Sequence, residues 1–206
     1  MLFIIISIII ISIVGTLAHF LYDLSNHNKF IGIFAAVNES TWEHIKIALT
    51  PTLLWGIIDG YIYGQNSNYF LAKIVSLITI IILMPLLYYS HKYIAKKDYF
   101  IFDIATFYIV IICSQLNFYS LLNIEPVNDI VRYISCVVLF IIFGFYMILT
   151  LLPLKNFIFK DPITNKYGYK AHSEEFSIKK NKRKKWCKKC FMKTLLLFNR
   201  CFYKSN

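Results

Sequence analysis

Residues 2–22 read LFIIISIIIISIVGTLAHFLY, a run without a single Lys, Arg, Asp or Glu. About 20 apolar residues in a helix rising 1.5 Å per residue cross a hydrocarbon core of roughly 30 Å. The run is therefore read as a membrane-spanning helix. No basic segment precedes it, it exceeds the apolar core of a cleaved signal, and no small-residue cleavage site follows. Outward from it, four more runs of the same kind occur at 42–63, 69–90, 99–122 and 130–152. Pro51 lies inside the second, where it is expected to kink the helix, and Pro85 near the end of the third. The piece 30–37 is too short to cross and is expected at the interface or re-entrant.

Composition agrees: 58% of residues are hydrophobic and 16% charged, against roughly 45–50% and 25% in soluble domains. The fold class that follows is all-α, an integral membrane bundle of about five transmembrane helices with a basic, partly amphipathic-helical cytoplasmic tail. Residues 1–154 form the transmembrane domain and 155–206 the tail.

The net charge of +11 is unevenly placed. Residues 1–154 hold seven Lys and Arg against eight acids, whereas 155–206 hold fifteen against three. A neutral membrane body with a polybasic appendage points to the bilayer and to anionic lipid headgroups as partners, not to nucleic acid. With five spans, Lys29, the Lys92, Lys96 and Lys97 cluster and the tail share one side; the connections 64–68 and 123–129 contain no cation. The positive-inside rule then puts the N-terminus outside and the C-terminus in the cytoplasm.

Within the tail, Asp161-Pro162 and 165–168 carry turn chemistry. Over 186–203, Cys187, Cys190, Phe191, Thr194, Leu195, Phe198, Cys201 and Phe202 recur at spacings of three and four. Lys188, Lys189, Lys193 and Arg200 rim that stripe, the pattern of a helix lying on an anionic leaflet. A tail held by charge alone is the plainer alternative. Cys113 and Cys136 fall in apolar spans and imply no disulfide. Cys187 and Cys190 form a CxxC without the second pair that a zinc knuckle needs.

The topology gathers polar residues into one band on the cytoplasmic side: His19, Asp23, Asn38, Glu39, Glu43, His44 and Asp103. Ser40 and Glu43 fit a capping box, in which each side chain bonds the other residue's backbone N–H. Trp42 reads as an interfacial anchor, and Lys73 as a side chain snorkelling to the outer surface. His19 and His44, ionisable groups near membrane depth, suit either polar helix packing or, with a carboxylate, a metal site or proton relay. Their spacing matches no fixed metal motif, and no cofactor is identified. The Asn38-Glu39-Ser40 glycosylation pattern is accidental on a cytoplasmic loop. No motif specifies a catalytic residue or a reaction. The functional classes left are a small transport or accessory component with a cytoplasmic-side polar site, a membrane-embedded enzyme using His and carboxylate groups, and a structural or lipid-sensing protein. The oligomeric state is left open.

Gly15, Leu17, His19, Phe20, Tyr22 and Ser25, followed by Phe34-Ala35-Ala36-Val37-Asn38-Glu39-Ser40-Thr41-Trp42-Glu43-His44, resemble an uncharacterised family of bacterial multi-pass membrane proteins. That family carries an APVNES-WEH-K segment after its first helix. The resemblance covers about residues 10–165, with Ala36 where proline is expected. It implies a location in the bacterial cell (inner) membrane and marks the first connection as the signature, without implying an activity.

Overall fold

The computed structural model describes residues 2–96 and 100–171. The expected interfacial helix at 186–203, with Lys188, Lys189, Lys193 and Arg200, lies outside them. The helices are α1 (Leu2–Leu24), α2 (Ile31–Phe34), α3 (Thr41–Tyr63), α4 (Tyr69–Ala95), α5 (Phe100–Leu122) and α6 (Asp129–Leu151). All but α2 are long and apolar enough to span a bilayer, so the described residues form an all-helical bundle and the chain is a multi-pass membrane protein. The expected short piece is the single turn α2. Unlike the expected span 69–90, α4 runs on to Ala95, so His91 and Lys92 are helical. It stops where Lys96 turns left-handed, with φ 52°, and donates its N–H to the Lys92 carbonyl. At the start of α6 the Asn128 side chain accepts the Val131 N–H at 2.9 Å, satisfying one of the orphan donors of a helix N-terminus.

α4 is the central helix, packed on α3, α5 and α6, while α1 lies on α3 and α5. α3 is the least apolar and most buried span, and α6 turns most of its surface outward. That order has a physical basis, since polar side chains at membrane depth need protein neighbours. Close packing depends on Gly15. A Cβ there would sit 2.6 Å from the Ile47 carbonyl oxygen of α3 and 2.6 Å from the Phe107 ring. The Ile47 carbonyl is also the one that Pro51 cannot bond, because proline lacks the N–H that would reach back four residues.

Lys73 does not snorkel. It is 2% exposed and donates to Asp59 Oδ2 at 2.6 Å, while the Tyr69 hydroxyl donates to Asp59 Oδ1 at 2.7 Å. Gly56 and Gly60 leave the room: a Cβ on Gly56 would lie 3.2 Å from Lys73 Cε, and one on Gly60 2.9 Å from the Tyr69 hydroxyl. Small residues one turn apart let two helices approach, and here they admit a buried ion pair between α3 and α4. At the same end of the bundle Asn68 joins two connections, donating to the Ile124 carbonyl and accepting the Val127 N–H.

At the other end lies the rim that carries Lys29 and Lys92, called here the basic rim. Residues 155–171, read from sequence as the start of the tail, are part of the folded body. The Trp42 N–H donates to the Ile158 carbonyl at 2.9 Å, supplying an acceptor for a first-turn donor of α3. The Trp42 ring stacks on Phe159 at 4.9 Å and is buried, not an interfacial anchor. The segment turns at 161–166, where the Asp161 N–H bonds the Lys166 carbonyl and Asn165 adopts φ 60°. The turn residues were legible; the docking was not.

Candidate functional site

Glu43 and Lys46 anchor the basic rim. They are one helical turn apart on α3, so their side chains project from the same face. Lys46 is fully buried and Glu43 is 5% exposed. The Lys46 ammonium meets Glu43 Oε2 at 2.5 Å and donates to the Gly32 carbonyl of α2 at 2.8 Å. Glu43 Oε2 also accepts the Val37 N–H at 2.9 Å. A buried charge is tolerated only with such pairing. The pair therefore holds the 31–37 stretch against α3.

The capping box is not formed. Ser40 stands at the N-cap position of α3, but its side chain makes no capping bond, and the Glu43 N–H bonds the Ser40 carbonyl instead. The Glu43 carboxylate is occupied by Val37 and Lys46, and the Ser40 N–H is taken by Asn38 Oδ1 at 2.9 Å. A nearby buried ammonium outcompetes a neutral backbone donor for a carboxylate, because charge-assisted bonds are stronger.

Asn38 and Glu39 join this connection to the chain after α6. Asn38 Nδ2 donates to the Gly168 carbonyl at 3.1 Å. The Glu39 N–H donates to Asp161 Oδ1 at 3.2 Å, and Asp161 Oδ2 accepts both the N–H and the hydroxyl of Thr164. Tyr169 closes the contact by donating its hydroxyl to the Lys29 carbonyl at 2.9 Å. Burial, with the Glu43 charge second, pushes the Tyr169 phenol above its ordinary value. It stays a donor at neutral pH.

The histidines do come together. The His19 and His44 ring centroids are 5.9 Å apart. His44 Nδ1 is 3.0 Å from the Ser40 carbonyl, an acceptor, so Nδ1 carries a proton, and Nε2 lies on the far side of the ring. Glu39 Oε2 lies 3.9 Å from that Nε2. Asp103 reaches the same region from α5: with Thr41, His44, Met84, Tyr88 and Thr106 it lines a recess of about 10 Å³, room for about one water molecule. Asp23 is placed elsewhere, 3.5 Å from His27 at the exposed end of α1. Among the described residues no three His, Cys, Asp or Glu side chains are arranged to hold a metal ion. His19, His44 and Glu39 are thus neighbours but not a ligand set.

Lys46, Asp161 and Gly32 were missed by sequence reasoning. For Lys46 the available signal was a lysine three residues after a glutamate inside an apolar span, where an unpaired cation is costly. For Asp161 it was the threonine three residues on, which a carboxylate can cap. Gly32 acts through its carbonyl, to which sequence is blind.

Comparison with curated proteins and with solved structures gave no match. A family model matches residues 1–169, which takes in the membrane bundle and nearly all of the docked segment after α6. The chain belongs to DUF6512, a family of unknown function.

Proposed function

We propose that the protein is a non-enzymatic accessory component of a bacterial inner membrane, working through the basic rim built by Asn38, Glu39, His44 and Asp103. The observation that carries this reading is the use made of the signature's polar groups. Glu43 is spent on Val37 and Lys46, and Asn38 on Ser40 and Gly168. These bonds lock α2, the start of α3 and residues 155–171 into one block, the construction of a presenting surface. Glu39 and His44 remain partly exposed at its edge. The cations at 29, 92, 96 and 97 and the basic tail support a cytoplasmic placement of this rim, with the N-terminus outside. The tail would then add contact with anionic headgroups.

The recess at His44 and Asp103 favours a second reading, passage of a proton or small cation. Reconstitution into dye-loaded liposomes under proton, sodium and potassium gradients separates the two. The accessory reading expects leakage equal to that of empty liposomes. A gradient-driven flux that disappears in His44→Ala or Asp103→Asn would overturn it in favour of transport. A photocrosslinking residue at position 39 is expected to give one discrete heavier adduct in cells, and loss of any adduct would count against a presenting rim.

A further inference from the structure

Between α4 and α5 the outer surface of the bundle opens into a groove of about 510 Å³, lined by the apolar Val75, Ile78, Ile82 and Leu116 and by the polar Thr79 and Asn117. Asn117 is exposed there and lies six residues from Ile111, the midpoint of α5. At 1.5 Å per residue it sits about 9 Å from mid-helix, inside a hydrocarbon layer of roughly 30 Å. A carboxamide has two N–H donors and a carbonyl acceptor. One donor goes to Thr79 Oγ1 at 3.0 Å, and the Thr79 proton goes on to the Val75 carbonyl at 2.7 Å. That is the one hydrogen bond Asn117 makes among the described residues.

One N–H and the Oδ1 acceptor are therefore left beside lipid, where neither finds a partner. An acyl chain in the groove offers neither donor nor acceptor. A second Asn117 offers both, in the arrangement produced by a two-fold axis that passes beside the residue, because in an isologous interface the residues next to the axis face their own copies. We propose that this groove is the contact surface of a homodimer, in which a second copy of the chain packs on α4 and α5 about an axis along the membrane normal and the two Asn117 carboxamides pair. The proposal is independent of the role of the basic rim. The apolar walls supply the packing, and the paired amides set the depth and register.

Cys113, one turn from Asn117 on the same groove, supplies the test. With the axis running beside Asn117 and the copies of α5 parallel, Cys113 lies near its own counterpart at the same depth. A variant keeping Cys113 alone, with Cys136, Cys187, Cys190 and Cys201 changed to Ser, is oxidised in native membranes or treated with a short bismaleimide. A covalent dimer of twice the 24.2 kDa chain is expected. Asn117→Leu should raise the dimer dissociation constant in liposomes about tenfold, read by energy transfer on dilution with lipid. Ile82→Trp, which adds bulk to the groove from α4 and leaves the Asn117 residue itself unchanged, should weaken the dimer likewise. A chain monomeric at every lipid ratio, a Cys113 adduct with a protein of different mass, or a dimer insensitive to both substitutions would each overturn the proposal.

Discussion

Replacing Lys46 by Met tests whether the basic rim is held by the buried ion pair. Methionine keeps the length and apolar stem but removes the ammonium. Glu43, 5% exposed, is then left with the Val37 N–H alone, and the Gly32 carbonyl loses its donor. Stranding one member of a buried pair costs about 3–5 kcal/mol. For a chain of this size that corresponds to a fall in melting temperature of about 6–20 °C. Adding Glu43→Gln should recover part of the loss. The Gln carbonyl can still accept the Val37 N–H and no charge remains buried, so the double variant should cost about 1–3 kcal/mol. Unfolding in detergent, followed by Trp42 and Trp55 fluorescence, gives both values. A Lys46→Met protein that melts within 2 °C of the parent, by the order of magnitude above, would refute the reasoning. So would a double variant whose loss equals the sum of the two single losses, because coupled partners must show a non-additive cycle.

Lys73→Met should destabilise the protein more than Asp59→Asn combined with Lys73→Met, since only the single change leaves the Asp59 carboxylate stranded between α3 and α4; the same melting assay decides, and equal losses would sink the idea. Gly15→Val should prevent the approach of α1 to α3, because the Ile47 carbonyl lies 2.6 Å from the new Cβ and backbone cannot swing aside. Loss of the monodisperse peak in gel filtration is expected, and an unchanged profile would contradict it. Because the folded Tyr169 phenol is raised above its unfolded value of 10.0, the proton it keeps stabilises the fold fully below that pH. The contribution is lost as pH rises past it. Tyr169→Phe should therefore flatten the decline in stability above pH 10, and identical alkaline profiles would exclude this role.

The membrane character of the chain could be read without coordinates, because a span of roughly 20 apolar residues answers to bilayer thickness and not to any partner in the fold. The helices at 2–22, 42–63, 69–90, 99–122 and 130–152 were located to within a few residues for that reason. The candidate band at His19, Glu39, His44 and Asp103 was suggested by depth alone, and depth cannot say which residues share a face. What each polar group bonds to was decided only by tertiary structure. Ser40-x-x-Glu43 matched a local capping pattern, yet Lys46 and the Val37 N–H claimed the carboxylate. Lys73 looked long enough to reach the surface, yet Gly56 and Gly60 opened a place for it beside Asp59. Residues 155–171 had the composition of a polar tail, yet their docking depends on Asp161, Gly168 and Phe159 meeting Glu39, Asn38 and Trp42, residues more than a hundred positions away. Solvent preference is a property of each residue and survives in the sequence, whereas a buried hydrogen bond belongs to a pair, and the fold alone chooses the partner.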